Sequence, residues 1–208
     1  MKLIKAELLS FYGSDREVAE RAWCSTNKAK DRTDEDVERI LKFVVHNRHT
    51  KVLELPVFSF RVDVPLFVDR QLVTHRMVTA SIALSHRYTE AEPVFYVPDL
   101  EGDVLQIYTD TLDTCYDAYH ATVKQLHMDG YPMQRAKEIG RNLLPGCLMT
   151  TREFTINLLS LANFIRLRTD KHAQLEMQML AHQIYNELMG VSALSTTTRL
   201  LDSVGWDV

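Results

Sequence analysis

The sequence LPVFSFRVDVPLFVDRQLVT, residues 55–74, contains the clearest secondary-structure signal in the chain. Aromatic and β-branched side chains alternate with polar ones from Leu55 to Val64, which is the pattern of a half-buried β-strand. Pro65 ends that pattern, and proline is well tolerated in the first turn of a helix, so we expect a helix from there to about Thr74. The stretch therefore predicts a strand that passes directly into a helix.

The rest of the chain supplies further strands and a larger number of helices. Alternation predicts strands at 2–11 and 147–154 and an extended run at 94–97. Helical periodicity and capping residues predict helices at 15–23, 33–46, 105–128, 133–143, 157–167 and 172–189. Loops are expected at 27–32 and 77–92, and the C-terminal tail carries no recognisable motif. Because no linker or repeat divides the chain, we expect residues 1–208 to form a single α+β domain, in which helices cover a small, mainly antiparallel twisted sheet.

Composition and charge restrict the class of protein. The chain is 46% hydrophobic and 25% charged, an ordinary globular composition, and its net charge of −4 gives no support for nucleic-acid binding. No apolar run approaches the roughly 18 residues of a membrane-spanning helix. The three cysteines are scattered and form no zinc pattern, so we expect reduced thiols in the cytoplasm. We therefore expect a cytoplasmic protein with no nucleic-acid or membrane partner.

A basic segment at residues 71–88, QLVTHRMVTASIALSHRY, is the strongest candidate for a ligand site. It contains the pairs His75-Arg76 and His86-Arg87 among serine and threonine hydroxyls, and such groups together suit a phosphate or another anion. The chain has neither a GxGxxG nor a GxxxxGK[ST] motif, so side chains would have to hold any nucleotide. A solvated, mildly basic segment without a ligand is the simpler alternative.

Four motifs resemble those of the flavin-dependent thymidylate synthases, also called thymidylate synthase complementing proteins. Residues 163–176, NFIRLRTDKHAQLE, are similar to the family's NFxxLRxDxHAQxE. Residues 65–71, PLFVDRQ, followed by THR at 74–76, resemble PxFVxRQ leading into the family's Arg-His-Arg signature, and LSHRY at 84–88 resembles ELSGRY. The segment from His49 to Glu54 is similar to HETPFEH. Several motifs in the right order are far more specific than any one of them.

The resemblance implies an enzyme that methylates dUMP to dTMP. It implies methylenetetrahydrofolate as the source of the methylene group and NADPH as the source of reducing equivalents, transferred through FAD. It also implies the family's α+β fold, a homotetramer with active sites between subunits, and a mechanism without a cysteine nucleophile.

The same resemblance assigns the site residues. It makes Arg168 and Ser85 the expected catalytic residues. The guanidinium of Arg168 beside the uracil oxygens would favour negative charge on the ring. Arg166 projects about 200° away around the predicted helix, so only Arg168 is expected to face the site. The expected dUMP-contacting residues are Arg70, Gln71, Leu84, Ser85, His86, Arg87, Thr151, Arg152 and Arg168. The expected FAD-contacting residues are Lys51, Glu54, Thr74, His75, Arg76, Met77, Asn157, Asn163, Leu167 and His172.

No metal site is expected. His120 and His127 lie seven residues apart on one predicted helix face, but no third ligand accompanies them.

The departures from the family pattern cluster around the signature. They are Thr74 in place of its first arginine, one extra residue between His75 and Tyr88, Ile82-Ala83 in place of Asn-Glu, His86 in place of the loop glycine, and Thr151, with Arg152 beside it, in place of a strand arginine. Three hypotheses therefore remain open: a working flavin-dependent thymidylate synthase; a divergent relative that modifies a pyrimidine nucleotide differently, for example by hydroxymethylation; and a non-catalytic nucleotide-binding relative that has lost flavin.

Overall fold

The computed structural model describes residues 3–24, 32–74 and 78–207 and contains a four-stranded antiparallel sheet. The strands lie in the order β1-β2-β4-β3, and helices account for most of the remaining regular structure. The predicted α+β class is therefore confirmed. The strands are β1 (Lys5–Tyr12), β2 (Val57–Pro65), β3 (Val78–Ala83) and β4 (Met149–Asn157).

The predicted helices are present, with shifts of a few residues at their ends. The last of the predicted set begins at Leu175 rather than at His172, because residues 169–174 form turns. The helices are α1 (Asp15–Cys24), α2 (Asp34–His46), α3 (Leu66–Thr74), α4 (Gly102–Met128), α5 (Met133–Gly140), α6 (Leu158–Arg168), α7 (Leu175–Met189) and α8 (Ser195–Ser203). Short 3-10 helices cover Thr50–Glu54, Arg141–Leu143 and Ser192–Leu194.

One sequence prediction needs correction, because the predicted loop 77–92 contains the strand β3. The C-terminal tail, which carries no recognisable motif, contains the helix α8. Ile82 of β3 is 71% exposed, so pairing with β4 rather than a buried apolar face defines this strand, and the usual alternation is missing. The predicted loop 27–32 lies, except for Arg32, outside the described residues.

The chain's internal contacts fall into two compact units that are interleaved in sequence. The first comprises residues 1–4, 63–72 and 83–152, and the second comprises 5–62, 73–82 and 153–208. The prediction of one domain over residues 1–208 stays a prediction.

Helices α4 and α5 form the core of the first unit. Tyr119 and Val123 of α4 are buried with Ala136 of α5, and a Cβ atom added at Gly140 would stand 2.6 Å from Cγ2 of Val123. The small residues on α5 therefore allow the two helices to approach closely. The Tyr116 hydroxyl donates a hydrogen bond to the Ala91 carbonyl at 3.0 Å, which ties the loop before α4 to this core.

In the second unit, helices pack on the apolar face of the sheet. Phe58, Phe60 and Val62 of β2 are fully buried, and the Phe60 ring stacks on Phe154 of β4 with centroids 5.8 Å apart. The carboxylate of Asp15 accepts the backbone N–H groups of residues 196 and 197, each at 2.8 Å. This contact fixes the first turn of α8 against α1.

The described residues contain neither a helix that could cross a membrane nor a cluster that could hold a metal ion. None of the helices formed by residues 3–24, 32–74 and 78–207 has the length and apolar character needed to cross a membrane. Within the same ranges, no three or more His, Cys, Asp or Glu side chains come together in a way that could hold a metal ion.

Candidate active site

The loop after β3 is a tight turn attached to β4. The Leu84 N–H donates to the Thr151 carbonyl at 3.0 Å, and the N–H groups of Tyr88 and Thr89 both donate to the Ser85 carbonyl, at 3.1 and 3.0 Å. The Ser85 hydroxyl accepts the N–H of residue 87 at 3.4 Å. The first unit therefore brings together five of the predicted nucleotide contacts: Leu84, Ser85, His86, Arg87 and Thr151.

Helix α5 fixes the guanidinium of Arg87. Its Nε and Nη2 atoms donate to Oε1 of Glu138 at 2.9 and 2.8 Å, and Oε2 of Glu138 accepts from Nη1 of Arg135 at 3.1 Å. These hydrogen bonds, first from Arg135 and then from Arg87, lower the pKa of Glu138 below its ordinary value. The carboxylate therefore stays ionised at neutral pH and orients Arg87, whose remaining donors can bind an anion.

The resemblance places His86 where the family's loop has glycine. Both of its ring nitrogens are buried and have no hydrogen-bond partner among the described residues. Burial, together with the positive charge of nearby Arg141, lowers the pKa of His86 below its ordinary value. The imidazole is therefore neutral at pH 7, with one donor and one acceptor unused.

The two predicted nucleotide contacts on β4 bond to acidic side chains of the same unit. The Thr151 hydroxyl donates to Oδ1 of Asp63. Nε and Nη2 of Arg152 donate to the two carboxylate oxygens of Asp69, and the side chains of this pair are only 12% and 11% exposed. The hydrogen bond to Asp69 raises the pKa of Arg152 above its ordinary value. This guanidinium is therefore committed to a carboxylate rather than directed at a ligand.

The other two predicted nucleotide contacts of this unit lie on α3. Arg70 is exposed and Gln71 is half-buried in the second half of that helix.

The second unit contains a cavity of about 880 Å³. Lys51 and Glu54, two of the predicted FAD contacts, line it from the 3-10 helix at 50–54. Trp23 and Phe43 contribute aromatic walls, and Arg48 contributes a guanidinium. This volume lies in the range of pockets that hold organic cofactors, and aromatic surfaces beside cations suit a planar ring attached to phosphates.

Helix α6 and its N-cap carry three of the other predicted FAD contacts, Asn157, Asn163 and Leu167. Asn157 is its N-cap, with Oδ1 accepting the N–H of residue 160 at 2.8 Å. Asn163 accepts a hydrogen bond from Nη2 of Arg166 at 2.9 Å, and Leu167 is 41% exposed. Arg168, the last residue of the helix, is half-buried. Arg166 is thus engaged along the helix, and the expectation that only Arg168 faces a ligand stays a prediction.

Two further predicted FAD contacts, Thr74 and His172, lie at or beyond the ends of helices. Thr74 is the exposed last residue of α3, and His172 is exposed in the turn between α6 and α7, where its N–H donates to Oδ1 of Asp170 at 2.8 Å. His75, Arg76 and Met77 lie outside the described residues.

Sequence reasoning did not identify the residues that hold these side chains in place. Glu138 lies 51 positions from Arg87, and Asp69 lies 83 positions from Arg152. The available signal was weak: Arg135, Glu138 and Arg141 recur at three-residue intervals, which places them near one another on a helix.

The α+β fold, the signature loop and the NFIRLRTDKHAQLE segment together define a protein of the thymidylate synthase complementing class. The model of the family described as thymidylate synthase complementing protein matches residues 7–192. The chain therefore belongs to this family, and the resemblance predicted from its motifs is confirmed.

Individual relatives agree with this assignment. The chain is 34% identical over 185 residues to the flavin-dependent thymidylate synthase of Pseudothermotoga lettingae, covering 84% of this chain and 80% of that protein. It is 30% identical over 194 residues to the enzyme of the same name from Kosmotoga olearia, again covering 84% and 80%. Among solved structures, it is similar to the UMP/dUMP methylase PolB from Streptomyces cacaoi bound with 5-Br dUMP, with a TM-score of 0.82, 25% identity and coverage of 99% of this chain and 97% of that chain.

Proposed function

We propose that the protein is a flavin-dependent enzyme that methylates dUMP to dTMP. The observation that carries this proposal is the family match over residues 7–192, which includes both the signature loop and the NFIRLRTDKHAQLE segment. The methylene group would come from methylenetetrahydrofolate and the reducing equivalents from NADPH. The active form would be a cytoplasmic homotetramer in which neighbouring chains complete each site.

The loop at 84–87 suits the nucleotide's phosphate. The Ser85 oxygen already accepts the backbone N–H of Arg87, so its own hydroxyl proton can be donated to a phosphate oxygen. Arg87 is oriented by Glu138 and supplies a permanent positive charge. A cation and a hydroxyl held in fixed positions bind a phosphate without having to be ordered first.

Arg168 is proposed to act on the pyrimidine. A guanidinium beside the uracil oxygens stabilises negative charge that develops on the ring, and it cannot lose its proton at physiological pH. No thiol is needed as the nucleophile. Burial raises the pKa of Cys147 above its ordinary value, so this thiol stays protonated at neutral pH.

The second unit is proposed to hold the flavin. Its cavity of about 880 Å³ combines Lys51 and Glu54 with aromatic walls, which fits a large planar group that carries phosphates. Asn163, Leu167 and His172 would complete the contacts. The bound flavin would supply the hydride that converts the transferred methylene to a methyl group.

UMP is a second candidate substrate. PolB is described as a UMP/dUMP methylase and has also been solved with 5-Br UMP, with a TM-score of 0.79 to this chain. No observation on this chain favours hydroxymethyl transfer or a non-catalytic role.

The test is incubation with dUMP or UMP, methylenetetrahydrofolate, NADPH and FAD, followed by mass analysis of the nucleotide. A methylated dUMP supports the proposal, whereas unchanged dUMP or a hydroxymethylated product contradicts it. Arg168→Ala should abolish turnover and weaken dUMP binding by at least about tenfold, because a charge-assisted contact is lost. Arg199→Ala is the matched control, since it removes an arginine that is 67% exposed on α8. Equal dUMP affinity in the wild type and Arg168→Ala would show that Arg168 is not a contact.

A further inference from the structure

We propose that Tyr116, Tyr119 and His120 of α4 are positioning residues, which hold the loop at 84–91 in the shape that binds the nucleotide. They are called the α4 clamp below. The three residues stand at positions i, i+3 and i+4 and therefore share one face of the helix. None of them belongs to the four motifs that resemble the family. The inference rests on the proposed function, since it takes this loop to contact a pyrimidine nucleotide.

The clamp satisfies both polar groups of the Ala91 backbone, at the end of the loop. The hydroxyl of Tyr116 donates to the Ala91 carbonyl at 3.0 Å, and the hydroxyl of Tyr119 accepts the Ala91 N–H at 3.4 Å. Ala91 is only 1% exposed, and buried backbone groups outside helices and strands must find partners elsewhere. The two tyrosine hydroxyls therefore allow this end of the loop to be buried against α4.

His120 extends the clamp to the preceding residue of the loop. Its Nδ1 atom lies 3.3 Å from Oε1 of Glu90. Its ring packs edge-on against the rings of Tyr116 and Tyr119, with centroids 4.4 and 5.0 Å apart. The three rings thus support one another while they contact two consecutive loop residues.

The loop is held at its beginning and in its middle as well as at its end. The N–H of Leu84 donates to the Thr151 carbonyl at 3.0 Å, and Nη2 of Arg87 lies 2.8 Å from Oε1 of Glu138. The clamp supplies the third attachment, at Ala91. Because the proposed nucleotide contacts lie between the first and the last of these attachments, releasing the last one should loosen them.

The clamp and the partner of Arg87 belong to one rigid support. A Cβ atom added at Gly140 of α5 would stand 3.2 Å from Cδ2 of Tyr119, so the backbone of α5 lies directly against a clamp residue. Helix α5 also carries Glu138, which orients Arg87. A loop that is ordered before binding does not have to be ordered by the ligand, and it binds the ligand more tightly.

The variant Tyr116→Phe tests the clamp, because it keeps the ring and removes only the hydroxyl that donates to Ala91. Calorimetry should show dUMP binding weakened by about two- to tenfold, since the loop loses one net hydrogen bond. The KM for dUMP should rise by the same factor while kcat stays within about twofold, because saturating nucleotide orders the loop again. Tyr131→Phe is the matched control and should change neither value. It removes a hydroxyl of the same unit that makes no hydrogen bond among the described residues.

A merely structural role gives a different result. Tyr116→Phe would then unfold at a lower urea concentration but would bind dUMP with the affinity and the KM of the wild type, and this outcome overturns the positioning role. If Tyr116→Phe does not fold, Glu90→Ala removes the partner of His120 from the exposed side of the contact. It should weaken dUMP binding by about two- to threefold, and unchanged affinity overturns the proposal.

Failure of this inference can be distinguished from failure of the proposed function. If the wild type binds dUMP and Tyr116→Phe binds it equally well, the positioning role is wrong and the function is untouched. If the wild type does not bind dUMP, the proposed substrate is wrong, and hydrogen exchange of the unliganded protein then tests the clamp. The N–H groups of residues 88, 89 and 91 are all hydrogen-bonded in the loop. Tyr116→Phe should speed their exchange by about two- to tenfold relative to Tyr131→Phe, and equal exchange overturns the clamp.

Discussion

Breaking the pair between Asp69 and Arg152 should destabilise the protein strongly. Both side chains are about nine-tenths buried, and the guanidinium donates to both carboxylate oxygens. Asp69→Asn leaves a buried cation without its counter-charge, which costs about 3–5 kcal/mol. For a chain of 208 residues, each kcal/mol lowers the Tm by about 2–4 °C, so a fall of about 6–20 °C is expected.

The assays are thermal unfolding for the Tm and urea unfolding for the free energy, both at a fixed protein concentration, because the apparent stability of an oligomer depends on concentration. The double variant Asp69→Leu with Arg152→Met removes both charges and should be close to the wild type, since well-packed apolar pairs replace buried ion pairs at little cost. Glu153→Gln is the exposed control, because the side chains of the Arg61–Glu153 pair are 47% and 44% exposed. This substitution should lower the free energy of unfolding by less than about 1 kcal/mol.

Two results would refute this reasoning. One is an Asp69→Asn variant that loses no more stability than Glu153→Gln. The other is a double variant whose loss of stability equals the sum of the losses in Asp69→Leu alone and Arg152→Met alone, since the two side chains would then contribute independently. Measuring dUMP affinity in the double variant would also show whether Arg152 reaches the nucleotide.

Two further predictions follow from the described contacts. Burial lowers the pKa of His86, so below about pH 6.5 the unfolded chain takes up a proton that the folded chain does not. The stability of the wild type should therefore fall relative to that of His86→Phe as the pH drops from 7 to 5. A stability difference that does not change with pH would contradict this. Asn157→Ala should destabilise the protein by about 1 kcal/mol, because it removes the N-cap of α6, whereas Asn157→Asp should retain most of the stability in the same urea assay.

The elements that the sequence predicted well are those with a buried apolar face. β2 alternates buried aromatic residues with polar ones, and α2 begins at Thr33 with a capping box to Asp36, so local patterns were sufficient for both. β3 was not predicted because Ile82 is exposed and the strand depends on hydrogen bonds to β4. Its partner lies about 70 residues away, and no local pattern records such a pairing.

The candidate site was likewise predicted only in part. The motifs identified the residues expected to contact the ligand, because the order of these motifs along the chain is distinctive. They did not name Glu138, Asp63 or Asp69, which hold those residues in the folded chain. An acidic residue on a helix or strand has no distinguishing local pattern, so only the structure shows that it orients a cation.

The arginine at 152 illustrates why a shift of one residue on a strand is not a conservative change. Successive side chains of a β-strand point to opposite faces, so moving a cation by one position sends it to the other side of the sheet. The structure agrees, since Thr151 bonds to Asp63 of β2 whereas Arg152 bonds to Asp69 of α3. Arg152 cannot take over a contact made from position 151 without a change in register. If the nucleotide phosphate is bound here, its positive partner would lie on another element, and Arg87, which Glu138 of α5 orients, supplies such a charge.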